Sequence, residues 1–299
     1  MRVGKEVEEV KAEREVEEKS GGVAAFFDLD GTLLALPSLE RRFFRMLRYR
    51  RAIAAKNYLL WLAEAVRLAP RAVSAIWQEN KMYLRGVEAD RLRKAGLKPA
   101  LTFFEDGLER VAWHAKQSHT IVMVSGTLEP LANEAARAIE DDLAARGIFP
   151  AIRVCATRLE QKEGRWTGRI VGEAMSGEAK ARAAKRMAEE MQLDLANCYA
   201  YGDSMNDRWM LEAGGHAAAV NPSKELARIA RDQEWPVLQW KERKNLTQRT
   251  QRTLSSRRRG DSTTNSTAGT LREAKRDEVE KAHSQCGTVT GEAIMRGLG

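Results

Sequence analysis

The sequence predicts an α/β fold, in which a doubly wound parallel sheet carries an inserted all-helical cap domain. Short apolar runs, each long enough for one buried strand, alternate with segments whose apolar residues recur at helical spacing. Acidic and hydroxyl residues directly follow three of these runs. One long stretch, residues 37–100, shows helical periodicity and interrupts the alternation after the first run.

The first two strands and the helix after them are predicted from apolar runs and spacing. Val23–Asp30 reads VAAFFDLD, a short apolar run that ends in acids, and Thr120–Ser125 reads TIVMVS. Such runs are typical of strands that are buried on both faces in a parallel sheet. Leu128–Ala145 has alanine and leucine at helical spacing and ends shortly before Gly147, which predicts a helix.

A hairpin and a second helix are expected next. Ala151–Leu159 and Trp166–Val171 flank the sequence QKEGR, in which Glu163 and Gly164 can form a tight turn. These two runs predict a β-hairpin that projects from the sheet. Glu178–Met191 is rich in Ala, Lys and Glu and is therefore predicted to be helical.

The remainder of the sheet is predicted between residues 197 and 240. Asn197–Tyr201 (NCYAY) precedes the polar sequence GDSMND and is the third buried strand. His216–Val220 and Pro236–Trp240 are two further short apolar runs, separated by a predicted helix over Ser223–Gln233. Strands that alternate with helices in this way favour a parallel sheet covered on both faces.

These patterns divide the chain into four parts. Residues 1–22 form a charged extension, residues 23–36 and 101–240 the α/β core, residues 37–100 the helical cap, and residues 241–299 a basic tail. The tail contains SSRRRGDSTTNSTAGT, whose polar composition predicts a flexible, disordered segment.

Composition favours a cytoplasmic protein. The 299 residues are 43% hydrophobic and 31% charged, as in soluble globular proteins. No run approaches the roughly 20 apolar residues of a membrane-spanning helix, and the first twenty residues lack the apolar core of a secretory signal. The three cysteines lie far apart and the four histidines show no metal-ligand spacing, which argues against disulfides and against a thiolate or imidazole metal site.

The net charge of +8 is unevenly placed, because the positive charge is concentrated in the predicted cap and in the tail. Residues 37–100 contain 15 Lys and Arg against 5 Asp and Glu, and Arg41–Arg51 reads RRFFRMLRYRR. A basic amphipathic helix of this kind can lie on an anionic membrane surface. The alternative is an ordinary cap helix that packs its apolar stripe on the core and leaves its arginines in water. No specific nucleic acid is expected as a partner, because no reading motif accompanies the charge.

Candidate functional residues collect where the predicted strands end. The carboxyl ends of parallel strands meet in one crevice, where catalytic groups lie. Three motifs follow the three strands, and a lysine begins the helix between the second motif and the third. The motif residues are Asp28, Asp30, Gly31 and Thr32, then Ser125, Gly126 and Thr127, then Lys180, and finally Gly202, Asp203, Asn206 and Asp207. Each motif alone also fits a plain turn or a helix cap.

Together, the ordered motifs DLDGT, SGT, Lys180 and GDSMND resemble those of the haloacid dehalogenase superfamily, in the branch that includes phosphoserine phosphatase. The resemblance covers roughly Val23 to Trp240. It implies a Rossmann-like core and a Mg²⁺-dependent phosphatase that forms an aspartyl-phosphate on Asp28. The expected substrate is a small phosphate ester such as phosphoserine.

Within this resemblance, each residue type suits one part of the chemistry. Asp28 is expected to attack phosphorus, and Asp30 to protonate the leaving oxygen and later to deprotonate water. Ser125, the amides around Gly126 and the ammonium of Lys180 are expected to hold the transferring oxygens.

The same resemblance implies an all-oxygen magnesium site with supporting residues around it. Its protein ligands are expected to be the carboxylates of Asp28 and Asp203 and the backbone carbonyl of Asp30. Asn206 and Asp207 are expected to position Lys180 and the metal ligands. Thr32 and Thr127 complete the supporting set.

Substrate choice stays open in the sequence. In phosphoserine phosphatase a glutamate shortly after the first motif binds the substrate's amino group, whereas Pro37 stands at that spacing here and Glu40 follows three residues later. A phospholipid head-group phosphate at the membrane surface is therefore an alternative substrate. Further alternatives are a phosphomutase or a dehalogenase on the same scaffold, and a non-enzymatic basic module that binds an anion or nucleic acid.

Overall fold

A six-stranded parallel sheet forms the centre of the computed structural model, which describes residues 22–70, 73–89 and 101–242. The strands are β1 (Ala24–Phe27), β2 (Thr120–Leu128), β3 (Ile152–Thr157), β6 (Tyr199–Gly202), β7 (His216–Val220) and β8 (Val237–Leu238). Their order is β3-β2-β1-β6-β7-β8, and every neighbouring pair is parallel. The chain thus winds from β1 first to one side and later to the other.

The described part of the predicted cap, residues 37–70 and 73–89, contains three α-helices and the short 3₁₀ helix Met82–Leu84. The α-helices are α1 (Leu39–Tyr49), α2 (Ala55–Leu68) and α3 (Val73–Glu79). Ser38 is the N-cap residue of α1, and its side chain accepts a hydrogen bond from the Arg41 amide. The buried stripe of α1 consists of Leu39, Phe43 and Leu47, and its exposed face carries Arg41, Arg45 and Arg48. The predicted all-helical character of the insertion is confirmed over these residues.

Alternate side chains of the central strands pack on opposite faces of the sheet. Phe27 and Met123 belong to one core cluster, whereas Phe26 and Val122 belong to the other. The first cluster is covered by α4 (Glu105–Lys116) and α5 (Glu129–Ala144), and the second by α6 (Glu178–Glu190), α7 (Arg208–Ala213) and α8 (Lys224–Asp232). The predicted doubly wound α/β fold is confirmed.

The prediction of the first strand of the hairpin is wrong. Residues Ile152–Thr157 form β3, which lies parallel to β2 and extends the main sheet. The hairpin pairs β4 (Leu159–Lys162) with β5 (Arg165–Ile170) around a turn in which Glu163 and Gly164 both have positive φ. The physical reason is that β2 offers an edge with which residues 152–157 can pair, burying Ala156 and Thr157. This pairing is distant in sequence and leaves no local signal.

Several predicted segments lie outside the described residues. They are residues 1–21 of the charged extension, residues 90–100 of the predicted cap, and the tail from residue 243 onwards. Lys241 is described, and its carbonyl accepts a hydrogen bond of 3.0 Å from the Glu105 amide at the start of α4. The four-part division of the chain stays a prediction. Within the described ranges, no helix has both the length and the apolar composition needed to cross a membrane.

Candidate active site

The carboxyl ends of β1 and β6 bring the first and last sequence motifs together. Asp28 follows β1, Asp203 follows β6, and these strands are neighbours in the sheet. The Asp28 amide donates a 2.9 Å hydrogen bond to the Tyr201 carbonyl, so the strand pairing continues to the first residue of the site. The winding direction changes between these strands, and such a switch point leaves a crevice open to a ligand.

Lys180, in the first turn of α6, lies between two carboxylates. Its Nζ is 2.5 Å from Oδ1 of Asp28 and 2.5 Å from Oδ1 of Asp207. All three side chains are buried, and charged hydrogen bonds are strong where water does not compete. The three residues belong to distant parts of the chain, so this arrangement exists only when the core is folded.

The second carboxylate oxygen of Asp207 is held by backbone and hydroxyl donors. Oδ2 accepts hydrogen bonds from the Ser204 amide at 3.0 Å, the Ser204 hydroxyl at 2.9 Å and the Asp203 amide at 3.2 Å. This is a capping box at the start of the short 3₁₀ turn Met205–Asp207. Because both of its oxygens are engaged, Asp207 is fixed as a partner for Lys180.

Two glycines allow the acidic residues to approach this closely. A Cβ on Gly31 would lie 2.2 Å from Oδ2 of Asp203, and Gly31 has a φ of +99°. A Cβ on Gly202 would lie 2.4 Å from the Cβ of Asp207. Any larger residue at either position would displace an acidic side chain of the site.

Burial and mutual repulsion raise the pKa values of the carboxyl groups. Burial raises the pKa of Asp28 to about 7, against the attraction of Lys180, and Asp207 adds to the increase. Burial and the charges of Asp28 and Asp207 raise the pKa of Asp203 to about 8. Burial opposes the charged form of Lys180, but Asp207 and Asp28 hold its pKa above the ordinary value.

The donor set fits a hard divalent cation. Carboxylate oxygens of Asp28, Asp203 and Asp207 all lie within 4.8 Å of one another. Three carboxylates against the one ammonium of Lys180 leave two negative charges when all are ionised, which a single dication would balance. Oxygen donors without sulfur or imidazole favour Mg²⁺ over softer metals. Asp28 and Asp203 are the better ligands, because the oxygens of Asp207 are already engaged.

Asp30 lies beside this cluster and faces the cap. Its Oδ1 accepts a 2.7 Å hydrogen bond from the amide of Leu39, the first residue of α1. Burial raises the pKa of Asp30 to about 6, although the hydrogen bond from Leu39 acts in the opposite direction. A carboxyl group with a pKa near neutrality can both give and take a proton.

The SGT motif lies at the end of β2 and supplies hydroxyl and amide groups. The Ser125 hydroxyl accepts a 3.2 Å hydrogen bond from the Thr127 amide, and the Thr157 hydroxyl donates to the Gly126 carbonyl at 2.9 Å. Thr32 and Thr127 each have a buried hydroxyl for which the structure shows no partner among the described residues. Thr157 of β3 therefore anchors this end of β2, and Ser125 lines the crevice.

A family model described as haloacid dehalogenase-like hydrolase matches residues 25–212, more than half of the chain. The chain belongs to this family. The match spans all four motifs, and it confirms the resemblance from which the site residues were predicted.

Two similar proteins have names that describe them as phosphatases. A probable phosphatase of Mycobacterium tuberculosis is 31% identical over 229 residues, covering 72% of this chain and 74% of the relative. A protein of the same organism named phosphoserine phosphatase is 28% identical over 239 residues, covering 72% and 70%. A solved structure from Bordetella pertussis, of a protein of unknown function, has a TM-score of 0.57 and 26% identity, and covers 73% of this chain and 98% of that one.

The candidate active-site cavity of this haloacid dehalogenase-like hydrolase has a volume of about 200 Å³. Most of the predicted residues line it, namely Asp28, Asp30, Ser125, Gly126, Thr127, Lys180, Asp203 and Asn206. Thr32 and Asp207 are buried behind the lining. A second group of lining residues was not predicted from the sequence. It comprises Ser38, Glu40, Trp77, Gln78 and Lys81 from the cap region and Ala174, Met175, Ser176 and Ser204 from the core.

Asn206 connects the core side of the cavity with the cap side. It is exposed, and its Oδ1 accepts a 3.1 Å hydrogen bond from the Gln78 side chain of α3. The structure thus places Asn206 at the rim, while Asp207 contacts Lys180 directly. Asn80 and Lys81 are both buried in the cap, but they follow Gln78 and Glu79 in a polar run that gives no sequence signal of this burial.

Proposed function

We propose that the chain is a Mg²⁺-dependent phosphomonoester hydrolase that forms an aspartyl-phosphate on Asp28. The phosphatase class predicted from the sequence is confirmed by the family match and by the relative named a probable phosphatase. The observation that carries the mechanistic proposal is the position of Asp28 at the end of β1, hydrogen-bonded to Lys180 and lining the cavity.

The carboxylate of Asp28 acts as the nucleophile. One of its oxygens forms a bond to phosphorus while the bond from phosphorus to the leaving oxygen breaks, which gives an acyl phosphate. Water then attacks phosphorus, and its attack releases inorganic phosphate and restores the carboxylate. Burial supports this role, since a desolvated carboxylate is more reactive than one surrounded by water.

Asp30 serves as the general acid and then as the general base. In the first step it donates a proton to the leaving oxygen, and in the second it accepts one from the attacking water. The hydrogen bond from the Leu39 amide fixes one oxygen and leaves the other for this transfer. Its pKa of about 6 suits both the donation and the acceptance of a proton near neutral pH.

Lys180, Ser125 and the amides around Gly126 hold the transferring oxygens. The ammonium of Lys180 is close enough to Asp28 to contact an oxygen of the phosphoryl group formed there. Asp28 and Asp203, with the backbone carbonyl of Asp30, would hold the magnesium ion. When bound, that ion supplies positive charge that offsets the repulsion between the phosphate oxygens and the incoming carboxylate.

The substrate proposed from the family resemblance is a small cytoplasmic phosphate ester such as phosphoserine. A second candidate is a phospholipid head-group phosphate at an anionic membrane surface. The feature that favours the second is the exposure of Leu59, Leu62 and Val66 on one side of α2, together with the arginines of α1.

A phosphate-release assay tests the proposed function. Activity on soluble phosphomonoesters and on lipid phosphates is expected with Mg²⁺ and is lost in excess chelator. Asp28→Asn should abolish turnover, whereas the exposed Asp232→Asn serves as a matched control and should retain it. Release that persists in chelator would contradict the metal dependence, and release by Asp28→Asn would contradict the nucleophile.

A further inference from the structure

A second, larger cavity adjoins the active-site cavity within the cap. It has a volume of about 500 Å³ and lies between α1, α2 and α3. Ser38, Glu40 and Trp77 line both cavities, so the two meet at these residues. Cavities of this volume hold small organic ligands.

Five of the ten residues that line the larger cavity are aromatic, namely Phe44, Tyr58, Trp61, Trp77 and Tyr83. Ile76 adds apolar surface, and the polar lining consists of Ser38, Glu40, Arg41 and Asn80. Phe44 packs edge-on against Tyr83 with ring centroids 5.1 Å apart, and the rings of Trp61 and Trp77 lie 5.8 Å apart. The Asn80 side chain donates a 2.8 Å hydrogen bond to the Trp61 carbonyl, which ties α2 to the segment after α3. The cavity therefore has a preformed aromatic wall.

Glu40, the carboxylate at the junction of the two cavities, is already paired. The Lys81 Nζ lies 2.7 and 2.8 Å from its two oxygens, and the Tyr83 hydroxyl donates to Oε1 at 2.6 Å. Lys81 is buried, and its third donor is directed to the Trp77 carbonyl at 3.4 Å. Because Lys81 already balances the charge of Glu40, an ammonium group on a substrate would meet a neutral ion pair there and not a free carboxylate.

We propose that the aromatic cavity binds the apolar part of the leaving group, so that preferred substrates are phosphomonoesters of alcohols with an alkyl chain or a ring. The inference rests on the proposed phosphatase activity of Asp28 and specifies its substrate class. The phosphate occupies the smaller cavity, and the alcohol extends past Ser38 and Trp77 into the cap. Hydrolysis at Asp28 breaks the bond between phosphorus and oxygen, and the intact alcohol leaves from the aromatic cavity. Such an ester can be soluble or part of a bilayer.

The test compares kcat/KM for ethyl phosphate, octyl phosphate below its micelle concentration, and phosphoserine. The two alkyl esters have similar leaving groups, so their ratio reports binding of the chain. Each buried methylene favours binding about fourfold, and partial burial of six more predicts a ratio of octyl to ethyl of at least about 30. Tyr58→Ala should lower this ratio by roughly 5- to 10-fold. Tyr49→Ala, an exposed tyrosine of the same cap outside the cavity lining, should leave it unchanged.

Equal kcat/KM for the two alkyl esters, or fastest turnover of phosphoserine, would overturn the inference while leaving the phosphatase assignment intact. If no ester is hydrolysed, the proposed function fails, and binding of octylphosphonate measured by tryptophan fluorescence still decides the role of the cavity. Binding no tighter than that of ethylphosphonate would overturn it.

A further experiment distinguishes a lipid ester in a bilayer from a soluble ester as the substrate. A long-chain phosphate monoester is presented in anionic vesicles and compared with soluble octyl phosphate. Faster turnover in vesicles assigns the cavity to lipid substrates, and slower turnover assigns it to soluble esters. Either result supports an apolar leaving group.

Discussion

The ammonium nitrogen of Lys180 lies 2.5 Å from a carboxylate oxygen of Asp28, and both side chains are buried. This contact joins the end of the first strand to a helix 152 residues later in the chain. Lys180→Met should therefore lower kcat by roughly 10²- to 10³-fold, because the developing charge on the phosphoryl oxygens loses its cation. Lys185→Met, on the exposed face of the same helix, is the matched control and should keep wild-type kinetics. Similar losses in both variants would mean that the helix, and not the ammonium, was affected.

Asp30→Asn should slow both chemical steps by roughly 10²- to 10⁴-fold, because one group serves first as acid and then as base. Rapid-quench kinetics that resolve formation and decay of the phosphoenzyme would measure the two rates separately. The Leu39 amide should still donate its hydrogen bond to the side-chain oxygen of the introduced asparagine, so the fold should persist. A change confined to KM would remove Asp30 from the acid-base role.

Metal binding should stabilise the protein more at pH 8 than at pH 5. The folded-state pKa values of Asp28, about 7, and Asp203, about 8, lie above their ordinary value of 3.8. Without metal, protonation of Asp28 and Asp203 stabilises the folded state. This contribution to the free energy of unfolding is fully present below about pH 4 and is lost as the pH rises through 7 to 8. Mg²⁺ competes with the same protons, so the increase in Tm on adding Mg²⁺ should grow over this range.

Differential scanning calorimetry with and without Mg²⁺ at the two pH values would measure this effect. Asp203→Asn should remove most of the increase, whereas Asp232→Asn should preserve it. An equal increase in Tm at pH 5 and pH 8 would contradict binding at these carboxylates.

Gly31→Ala should disable the site by displacing Asp203. The added methyl group would meet a carboxylate oxygen of Asp203 at 2.2 Å, and the positive φ adds strain of roughly 1–2 kcal/mol. Gly147→Ala is the matched control, because Gly147 has a φ of +74° but no atom within 4 Å of the added Cβ. Both variants should lose stability in thermal unfolding, but only Gly31→Ala should also lose turnover and the Mg²⁺-dependent rise in Tm. Normal turnover by Gly31→Ala would show that Asp203 tolerates displacement.

The positions of the acidic motifs were predictable because parallel strands end at one edge of a sheet. Asp28 and Asp203 each follow a short buried run, which places both at the same edge of the sheet. They lie side by side because β1 and β6 are neighbours. β3 was not predictable as a sheet strand, since its partner β2 lies far away in sequence and the turn at Glu163 suggested a purely local hairpin.

The cap side of the active site could not be derived in the same way. Glu40 and Lys81 are 41 residues apart, and their pairing depends on how α1 packs against the segment after α3. Helical spacing identifies which residues of a helix are buried, but it does not reveal which distant side chain they meet. The sequence therefore does not show that the charge of Glu40 is balanced within the protein by Lys81.

Direct detection of a phosphoryl group on Asp28 tests the central claim most sharply. The wild-type protein would be mixed with Mg²⁺ and a turned-over ester, quenched in acid within the first turnover, and analysed by peptide mass spectrometry. The peptide that contains Asp28 should carry one phosphoryl group at this residue, and Asp28→Asn should carry none and release no phosphate. Phosphate release by the wild type without a phosphoryl group on Asp28, together with retained activity in Asp28→Asn, would contradict the mechanism.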